Sequence, residues 1–217
     1  MLKAVLFDLD GTLVDSAPDI AGALNDLLAE EGRSTYSLAA IKRMVGDGVH
    51  RLVEKAFGET GRTDQLAERF LDLYTPRSTR LTVPGAGAFA ALDALRDAGV
   101  RLAVCTNKPD EAARVVLAEL GLLPYFPVVI GGSSGLPRKP DPATLLEAAR
   151  RLGAAPEETL MVGDSVPDVA AARAAGMRVL VVNSGYGTVP ADKLGADGVL
   201  SSLGEIPHWD PVPAPAS

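Results

Sequence analysis

The chain has 217 residues, 47% of them hydrophobic and 23% charged, which is the composition of an ordinary soluble globular protein. A net charge of −7 argues against a broad surface for nucleic acid or an anionic membrane, and no apolar stretch approaches the length of a membrane span. With only two histidines, a multi-histidine zinc site is excluded and a histidine-based triad is not expected. The start lacks the apolar region of a signal peptide, and the one cysteine cannot form an internal disulfide, so we expect a cytoplasmic protein.

Short runs rich in valine, leucine and isoleucine predict buried β-strands, and alanine-rich amphipathic stretches between the later runs predict helices. The predicted strands are residues 3–8, 100–105, 127–131, 158–163 and 177–182, with a further short one at 197–200. The predicted helices between them are residues 86–98, 109–120, 142–152 and 167–175. Because strand and helix alternate from about residue 84, the sequence predicts an α/β fold with a doubly wound parallel sheet.

The stretch between the first strand and Pro84 has a different pattern. Residues 17–31, 38–44, 48–57 and 63–75 predict four consecutive helices with no strand between them. Such an insert could decorate the sheet, but Asp8 and Asp10 stand at its entrance, which favours a helical cap over a site. The predicted domains are therefore an α/β core (1–15 and 82–206) and a helical cap (16–81), followed by a disordered tail (207–217).

Polar residues capable of chemistry follow the predicted strands. In open parallel sheets, ligands bind beyond the carboxyl ends of the strands. Taken singly, each of these residues has a structural interpretation as a turn, a helix cap or a solvated side chain, but their common placement favours a site. The residues at these strand ends are Asp8, Asp10, Thr106, Asn107, Lys139, Asp164 and Asp168.

The residue types match the requirements of phosphoryl transfer. Aspartates 8, 10 and 164 provide the oxygen ligands that Mg²⁺ prefers, and the metal would relieve repulsion among them. Lys139 can contact both a phosphate and a nucleophilic carboxylate, while the hydroxyl and amide of residues 106 and 107 can donate to phosphoryl oxygens. Gly11 lets the backbone turn so that N–H groups face an anion. Together they predict transfer through an aspartyl-phosphate.

Four segments in order resemble the motifs of the haloacid dehalogenase superfamily. "FDLDGTL" (7–13) is similar to its first motif, "VCTN" (104–107) to its second, Lys139 in "RKPDP" to its third, and "VGDSVPD" (162–168) to its fourth. The resemblance covers nearly the whole chain apart from the tail. It implies a Rossmann-like core, and it identifies the helical insert as similar to the superfamily's C1 cap.

The resemblance also implies a role for each residue that matches a motif. Asp8 would be the nucleophile and Asp10 the general acid and base. The Asp8 carboxylate, the Asp10 backbone carbonyl and Asp164 would hold Mg²⁺, and Asp168 would support that metal shell. The phosphate would be held by Thr106, Asn107 and Lys139.

Smaller features narrow the expected activity. The superfamily's dehalogenases lack an aspartate at the position of Asp10. Its β-phosphoglucomutases usually have valine at the position of Thr12. "DSAPDI", "VGDGVHRLV" and "CTNKP" together resemble most the phosphoglycolate phosphatases of the superfamily. The resemblance thus implies hydrolysis of a small phosphorylated metabolite, 2-phosphoglycolate. Sugar phosphates, pyrophosphate and nucleotides are alternative substrates, and a phosphotransferase similar to the β-phosphoglucomutases is an alternative activity. We expect a monomer or homodimer.

The cap is expected to select the substrate. The glycines of "VGDGVHRLV" begin a predicted helix, whose free N–H groups favour an anion, and Arg51 is a candidate to bind the carboxylate of the substrate. A helix start with surface side chains is the alternative interpretation. Two other classes remain open: a phosphorylated signalling receiver, which the insert and the acids on the first strand oppose, and a non-catalytic binding protein, which the presence of both Asp8 and Asp10 opposes.

Overall fold

A computed structural model describes residues 2–209, and its centre is a six-stranded sheet in which all strands are parallel. The order across the sheet is β5-β4-β1-β6-β7-β8. The strands are β1 (Ala4–Phe7), β4 (Arg101–Cys105), β5 (Val128–Ile130), β6 (Thr159–Gly163), β7 (Arg178–Val182) and β8 (Gly198–Leu200); β2 (Val14–Asp15) and β3 (Val83–Pro84) form a separate antiparallel pair.

Eight α-helices accompany the strands in the described part of the chain, and none of them is long and apolar enough to cross a membrane. Four precede β3: α1 (Ala17–Glu30), α2 (Leu38–Lys42), α3 (Val49–Phe57) and α4 (Thr63–Tyr74). Four alternate with the later strands: α5 (Ala88–Asp97), α6 (Asp110–Glu119), α7 (Ala143–Leu152) and α8 (Val166–Ala174).

The central strand β1 is buried on both faces because successive side chains point to opposite sides of a strand. Val5 and Phe7 belong to a hydrophobic cluster with α5 and α6, whereas Ala4 and Leu6 belong to a second cluster with α7 and α8. Helices therefore cover both faces of the sheet, which explains why the strands read as continuous apolar runs. The predicted α/β class with a doubly wound parallel sheet is confirmed.

Helices α1–α4 have a hydrophobic cluster of their own, to which the sheet helix α6 contributes Ala112. The chain enters this helical insert through β2 and leaves it through β3, and the two strands pair with each other. Asp19 is buried on α1, and its Oδ2 accepts hydrogen bonds from the backbone N–H groups of Leu81 and Thr82 at 2.9 and 2.8 Å. The two connections are thus tied together. The division into core and cap domains stays a prediction.

The end of the described chain is helical rather than extended. A 3₁₀ helix spans Leu203–His208, and Trp209 packs partly buried against the cluster of α5 and α6. The predicted disordered tail begins at residue 207, and residues 210–217 lie outside the described residues.

Candidate active site

The strand ends bring a buried lysine between two aspartates. Lys139 Nζ lies 2.8 Å from Asp8 Oδ1 and 2.6 Å from Asp168 Oδ1, and the three side chains are at most 8% exposed. Asp8 directly follows β1, Asp168 lies in the first turn of α8, and Lys139 lies between β5 and α7. A lysine buried this deeply must be compensated by neighbouring charge. The two carboxylates supply that compensation.

Carboxylate oxygens of Asp8, Asp164 and Asp168 lie within 4.8 Å of one another and are buried. Oxygen donors of this type and spacing suit a hard divalent cation. Asp168 is already fully engaged, because Oδ1 receives Lys139 and Oδ2 accepts the backbone N–H groups of Asp164 and Ser165 at 3.2 and 3.1 Å. Asp8 and Asp164 are therefore the carboxylates that fit a cation best, with Asp168 holding Lys139 in place.

Asp164, directly after β6, is fixed by contacts from two other segments. The backbone N–H of Tyr186 donates to its Oδ2 at 2.6 Å, and the Thr12 hydroxyl lies 3.4 Å from Oδ1. Gly11 has a φ of 88°, and a Cβ at that position would lie 2.6 Å from Asp164 Oδ2. Only glycine fits this turn, since a side chain would displace the carboxylate as well as strain the backbone.

The buried acids have altered proton affinities. Burial raises the pKa of Asp8 to about 6, a rise that Lys139 opposes and Asp168 reinforces. The pKa of Asp164 is raised well above its usual range, by burial first and then by the charges of Asp168 and Asp8. Burial alone would lower the pKa of Lys139, but Asp168 and Asp8 outweigh it and hold the pKa above its ordinary value. Lys139 therefore stays charged, and a bound cation would stabilise the ionised forms of Asp8 and Asp164.

Replacing Lys139 by methionine should lower the free energy of unfolding by about 3–5 kcal/mol, because Asp8 and Asp168 lose the cation that compensates them. Urea unfolding in Mg²⁺-free buffer at neutral pH measures the loss. Lys3→Met is the control, since Lys3 and Glu158 form an exposed pair worth less than about 1 kcal/mol. Equal losses in the two variants would contradict the buried arrangement.

A second buried lysine, Lys108, holds the carboxylate of Asp10. Its Nζ lies 2.9 and 3.1 Å from the two oxygens of Asp10 and donates to the Tyr74 hydroxyl at 2.8 Å. The Ser16 hydroxyl donates to Asp10 Oδ1 at 2.5 Å. Burial would lower the pKa of Lys108, but Asp10 and the Tyr74 hydroxyl outweigh it and raise the pKa. The Asp10 carboxylate is thereby directed away from the acid cluster, toward α4.

Thr106 and Asn107 follow β4 and are both buried. The Thr106 hydroxyl accepts a hydrogen bond from the backbone N–H of Lys108 at 3.2 Å. Asn107 Nδ2 donates to the carbonyls of Gly46 and Lys139, both at 3.0 Å, and Oδ1 accepts the N–H of Lys139 at 3.0 Å. The amide of Asn107 therefore braces the lysine loop and joins it to the helical insert. Its donation to a phosphate stays a prediction.

A cavity opens between the helical insert and the strand ends. Together with its open mouth it measures about 500 Å³. Its polar wall comes from the strand ends, including Asp8, Asp10 and Thr106, and most of its remaining wall is apolar. The insert contributes Ile20, Val45, Gly46, Gly48, Val49, Leu52, Phe70, Leu71 and Tyr74 to the lining.

The structure does not bring Arg51 to this group. Its side chain is 64% exposed, pairs with Glu54 at 2.5 Å and lines a separate surface groove on α3. The neighbouring His50 lies 3.3 Å from the exposed Asp64. Gly46 and Gly48, by contrast, do line the cavity, with φ values of 118° and 88°. A role for Arg51 in binding substrate stays a prediction without a supporting contact.

Comparison with known proteins agrees with this geometry. The sequence model of the haloacid dehalogenase-like hydrolase family matches residues 2–176. The chain belongs to that family, which confirms the resemblance seen in its four motifs.

Relatives of similar length extend the match over nearly the whole chain. A phosphoglycolate phosphatase of Rhodospirillum rubrum is 44% identical over 225 residues, covering 99% of this chain and 93% of the relative. A phosphoglycolate phosphatase of Caulobacter vibrioides is 37% identical and covers 94% of this chain and 88% of the relative. The crystal structure of a predicted phosphoglycolate phosphatase from Haemophilus somnus superposes with a TM-score of 0.90 at 28% identity, covering 94% and 96% of the two chains. The prediction of an enzyme of the phosphatase class is confirmed.

Proposed function

We propose that the protein is a Mg²⁺-dependent phosphomonoesterase that hydrolyses 2-phosphoglycolate through an aspartyl-phosphate on Asp8, in the cytoplasm. The observation that carries the proposal is the convergence of Asp8, Lys139 and Asp164 at one edge of the sheet, with Asp10 directed into the adjoining cavity. A buried carboxylate beside a lysine and a cation site is the arrangement that aspartyl-phosphate chemistry requires. The names of the relatives support the choice of substrate.

In the first step, an Asp8 oxygen attacks phosphorus and the ester bond to the leaving oxygen breaks. Lys139 balances negative charge on the phosphoryl group, and the Thr106 hydroxyl orients its oxygens. Asp8 and Asp164, with the backbone carbonyl of Asp10, would hold Mg²⁺, which when bound supplies further charge neutralisation. Asp10 gives its proton to the leaving alkoxide, so that glycolate departs as a neutral alcohol at that oxygen.

In the second step, the ionised Asp10 takes a proton from the water that attacks the aspartyl-phosphate, and phosphate leaves with Asp8 restored. The same carboxyl thus acts first as acid and then as base. Lys108 and Ser16 fix its orientation throughout. The apolar wall supplied by the insert limits the water that reaches the intermediate.

A substrate panel tests the proposal directly. It contains 2-phosphoglycolate, sugar phosphates, pyrophosphate, nucleotides and p-nitrophenyl phosphate, and phosphate release is ranked by kcat/KM with and without Mg²⁺. We expect 2-phosphoglycolate to rank first and activity to require the metal. Preference for another small phosphate would reject the substrate but keep the phosphatase, whereas no multiple-turnover release from any compound would reject both.

Mg²⁺ should stabilise the protein more at pH 7.5 than at pH 5. Folding raises the pKa of Asp8 from 3.8 to about 6, so the folded protein favours the protonated carboxyl. The stability that this proton contributes is present at low pH and is lost as pH rises through about 6. Only the ionised form binds metal, so metal binding competes with the proton. We expect saturating Mg²⁺ to raise Tm by about 5–10 °C at pH 7.5 and by less than half of that at pH 5.

Differential scanning fluorimetry measures both shifts. Asp8→Asn should lose most of the Mg²⁺ shift at both pH values. Asp97→Asn, which replaces an exposed acid outside the acid cluster, should keep it. A shift that is equal at the two pH values, or that survives in Asp8→Asn, would place the metal elsewhere.

A further inference from the structure

Lys108 is a buried cation in the cavity that the steps above use only to orient Asp10. Its side chain is 5% exposed and lines the cavity together with Asp8, Asp10 and Thr106. Among the described residues that line this cavity, it is the one with a positively charged side chain. Beyond the polar strand ends the cavity wall is mostly apolar, and this buried ammonium group is the part of the lining suited to bind a ligand that carries a second negative charge.

The three N–H donors of the Lys108 ammonium are matched by three acceptors, the two carboxylate oxygens of Asp10 and the Tyr74 hydroxyl. In the proposed reaction Asp10 is protonated when the substrate enters, and a protonated carboxyl keeps one good acceptor oxygen, which releases one N–H of Lys108 for the substrate. The Tyr74 ring also faces the ammonium, with its centroid 4.5 Å from Nζ. The charge is thus held in place before any ligand enters, which reduces the entropy lost when it binds an anion.

The position of Lys108 fits a carboxylate next to the reacting ester. In the proposed reaction, Asp10 must reach the ester oxygen of the substrate, and Lys108 contacts both oxygens of Asp10. In 2-phosphoglycolate a single methylene group separates that ester oxygen from the carboxylate. The carboxylate therefore lies within reach of the lysine when the ester oxygen is within reach of Asp10.

From this geometry we propose that Lys108 is the specificity-determining residue of the enzyme, binding the carboxylate of a phosphorylated hydroxy acid while Tyr74 of α4 holds the ammonium from the cap side. The proposal rests on the proposed function and gives it a structural basis that Arg51, exposed and paired with Glu54, does not provide. It assigns to a residue of the loop between β4 and α6 the selectivity that the sequence alone assigns to the cap.

A pair of substrates that differ only in the group attached to the methylene isolates the contribution of the carboxylate. Ethyl phosphate has a methyl group where 2-phosphoglycolate has its carboxylate. Lys108→Met should lower kcat/KM for 2-phosphoglycolate by about 100-fold, mainly through KM, and lower that for ethyl phosphate by less than about tenfold. Lys108→Arg should keep part of the preference for 2-phosphoglycolate over ethyl phosphate. Lys3→Met, at an exposed lysine, should leave kcat/KM for both substrates unchanged.

Two outcomes overturn the proposal without touching the proposed function. One is a loss of equal size on both substrates in Lys108→Met, which would mean that the lysine acts only through Asp10 or the cap. The other needs no variant: wild-type enzyme should be inhibited at least about tenfold more strongly by 3-phosphonopropionate than by propylphosphonate, and equal inhibition would mean that the cavity does not recognise a carboxylate. If the wild-type enzyme prefers ethyl phosphate to 2-phosphoglycolate, the proposed substrate itself is wrong.

Discussion

Replacing Asp8 by asparagine is expected to lower kcat on 2-phosphoglycolate by at least about 10⁴-fold. The amide nitrogen and oxygen cannot form the aspartyl-phosphate, and the loss of charge also weakens the cation site formed with Asp164. Steady-state phosphate release in saturating Mg²⁺ measures kcat. A variant with more than about a tenth of wild-type kcat would show that Asp8 is not the nucleophile.

The folding control for Asp8→Asn follows from its burial. Burial raises the pKa of Asp8 to about 6, so at pH 7.5 its ionised form opposes folding when no metal is bound. Removing the charge should leave Tm in Mg²⁺-free buffer equal to or above that of the wild type, with Lys139 still paired to Asp168. A stable, inactive variant separates loss of chemistry from loss of structure.

Asp10→Asn is expected to lower kcat on 2-phosphoglycolate by about 10²–10⁴-fold, because the leaving alkoxide and the attacking water both need its carboxyl. p-Nitrophenyl phosphate separates proton donation to the leaving group from proton removal from water, because nitrophenolate leaves without a proton. On that substrate the variant should release one equivalent of nitrophenolate in a rapid burst and then turn over slowly. Stopped-flow absorbance records the burst.

Ser16→Ala is the matched control for Asp10→Asn. It removes the hydroxyl that donates to Asp10 Oδ1 and leaves the carboxyl and its lysine in place, so the loss should be less than about tenfold. An Asp10→Asn variant that turns over p-nitrophenyl phosphate at the wild-type rate, without a burst, would contradict the role of Asp10 as base in the second step.

The sheet and its flanking helices could be predicted because their signals are local. Each apolar run of the sequence lies on a strand of the sheet, and each strand ends within one residue of its predicted end. The short pair β2 and β3 was missed, since two-residue strands leave no periodic pattern. Their pairing depends on the insert folding back so that residues 14–15 meet residues 83–84.

The surroundings of Asp10 could not be predicted, because they come from segments distant in sequence. Lys108 directly follows Asn107, the last residue of the second motif, and this position is a sequence signal for a role in the site. Its burial, however, depends on Tyr74 at the end of α4. Tyr186 contributes only its backbone N–H to Asp164, which no side-chain pattern reveals. Contacts of this kind follow from tertiary packing alone.

Arg51 illustrates a signal that was present and was outweighed. Val49, Leu52, Val53 and Ala56 repeat at the spacing of one helix face, and residue 51 falls outside that face. The glycines before α3 predict an anion site near Arg51, whereas the helix period directs the arginine to solvent, where it is 64% exposed. Helical phase is the stronger guide for a residue within an amphipathic helix.

The separate hydrophobic cluster of α1–α4 has a consequence for the evolution of substrate preference in this protein. Ile20, Leu52 and Phe70 both build that cluster and face the cavity. Exchanging them reshapes the space around the reacting molecule, while the packing of β1 against α5–α8 belongs to other clusters and is left intact. Substitutions at distant sites that share no partners change the free energy of unfolding by nearly additive amounts. Substrate preference can therefore change through substitutions in the helical insert while the packing that positions the strand ends is kept.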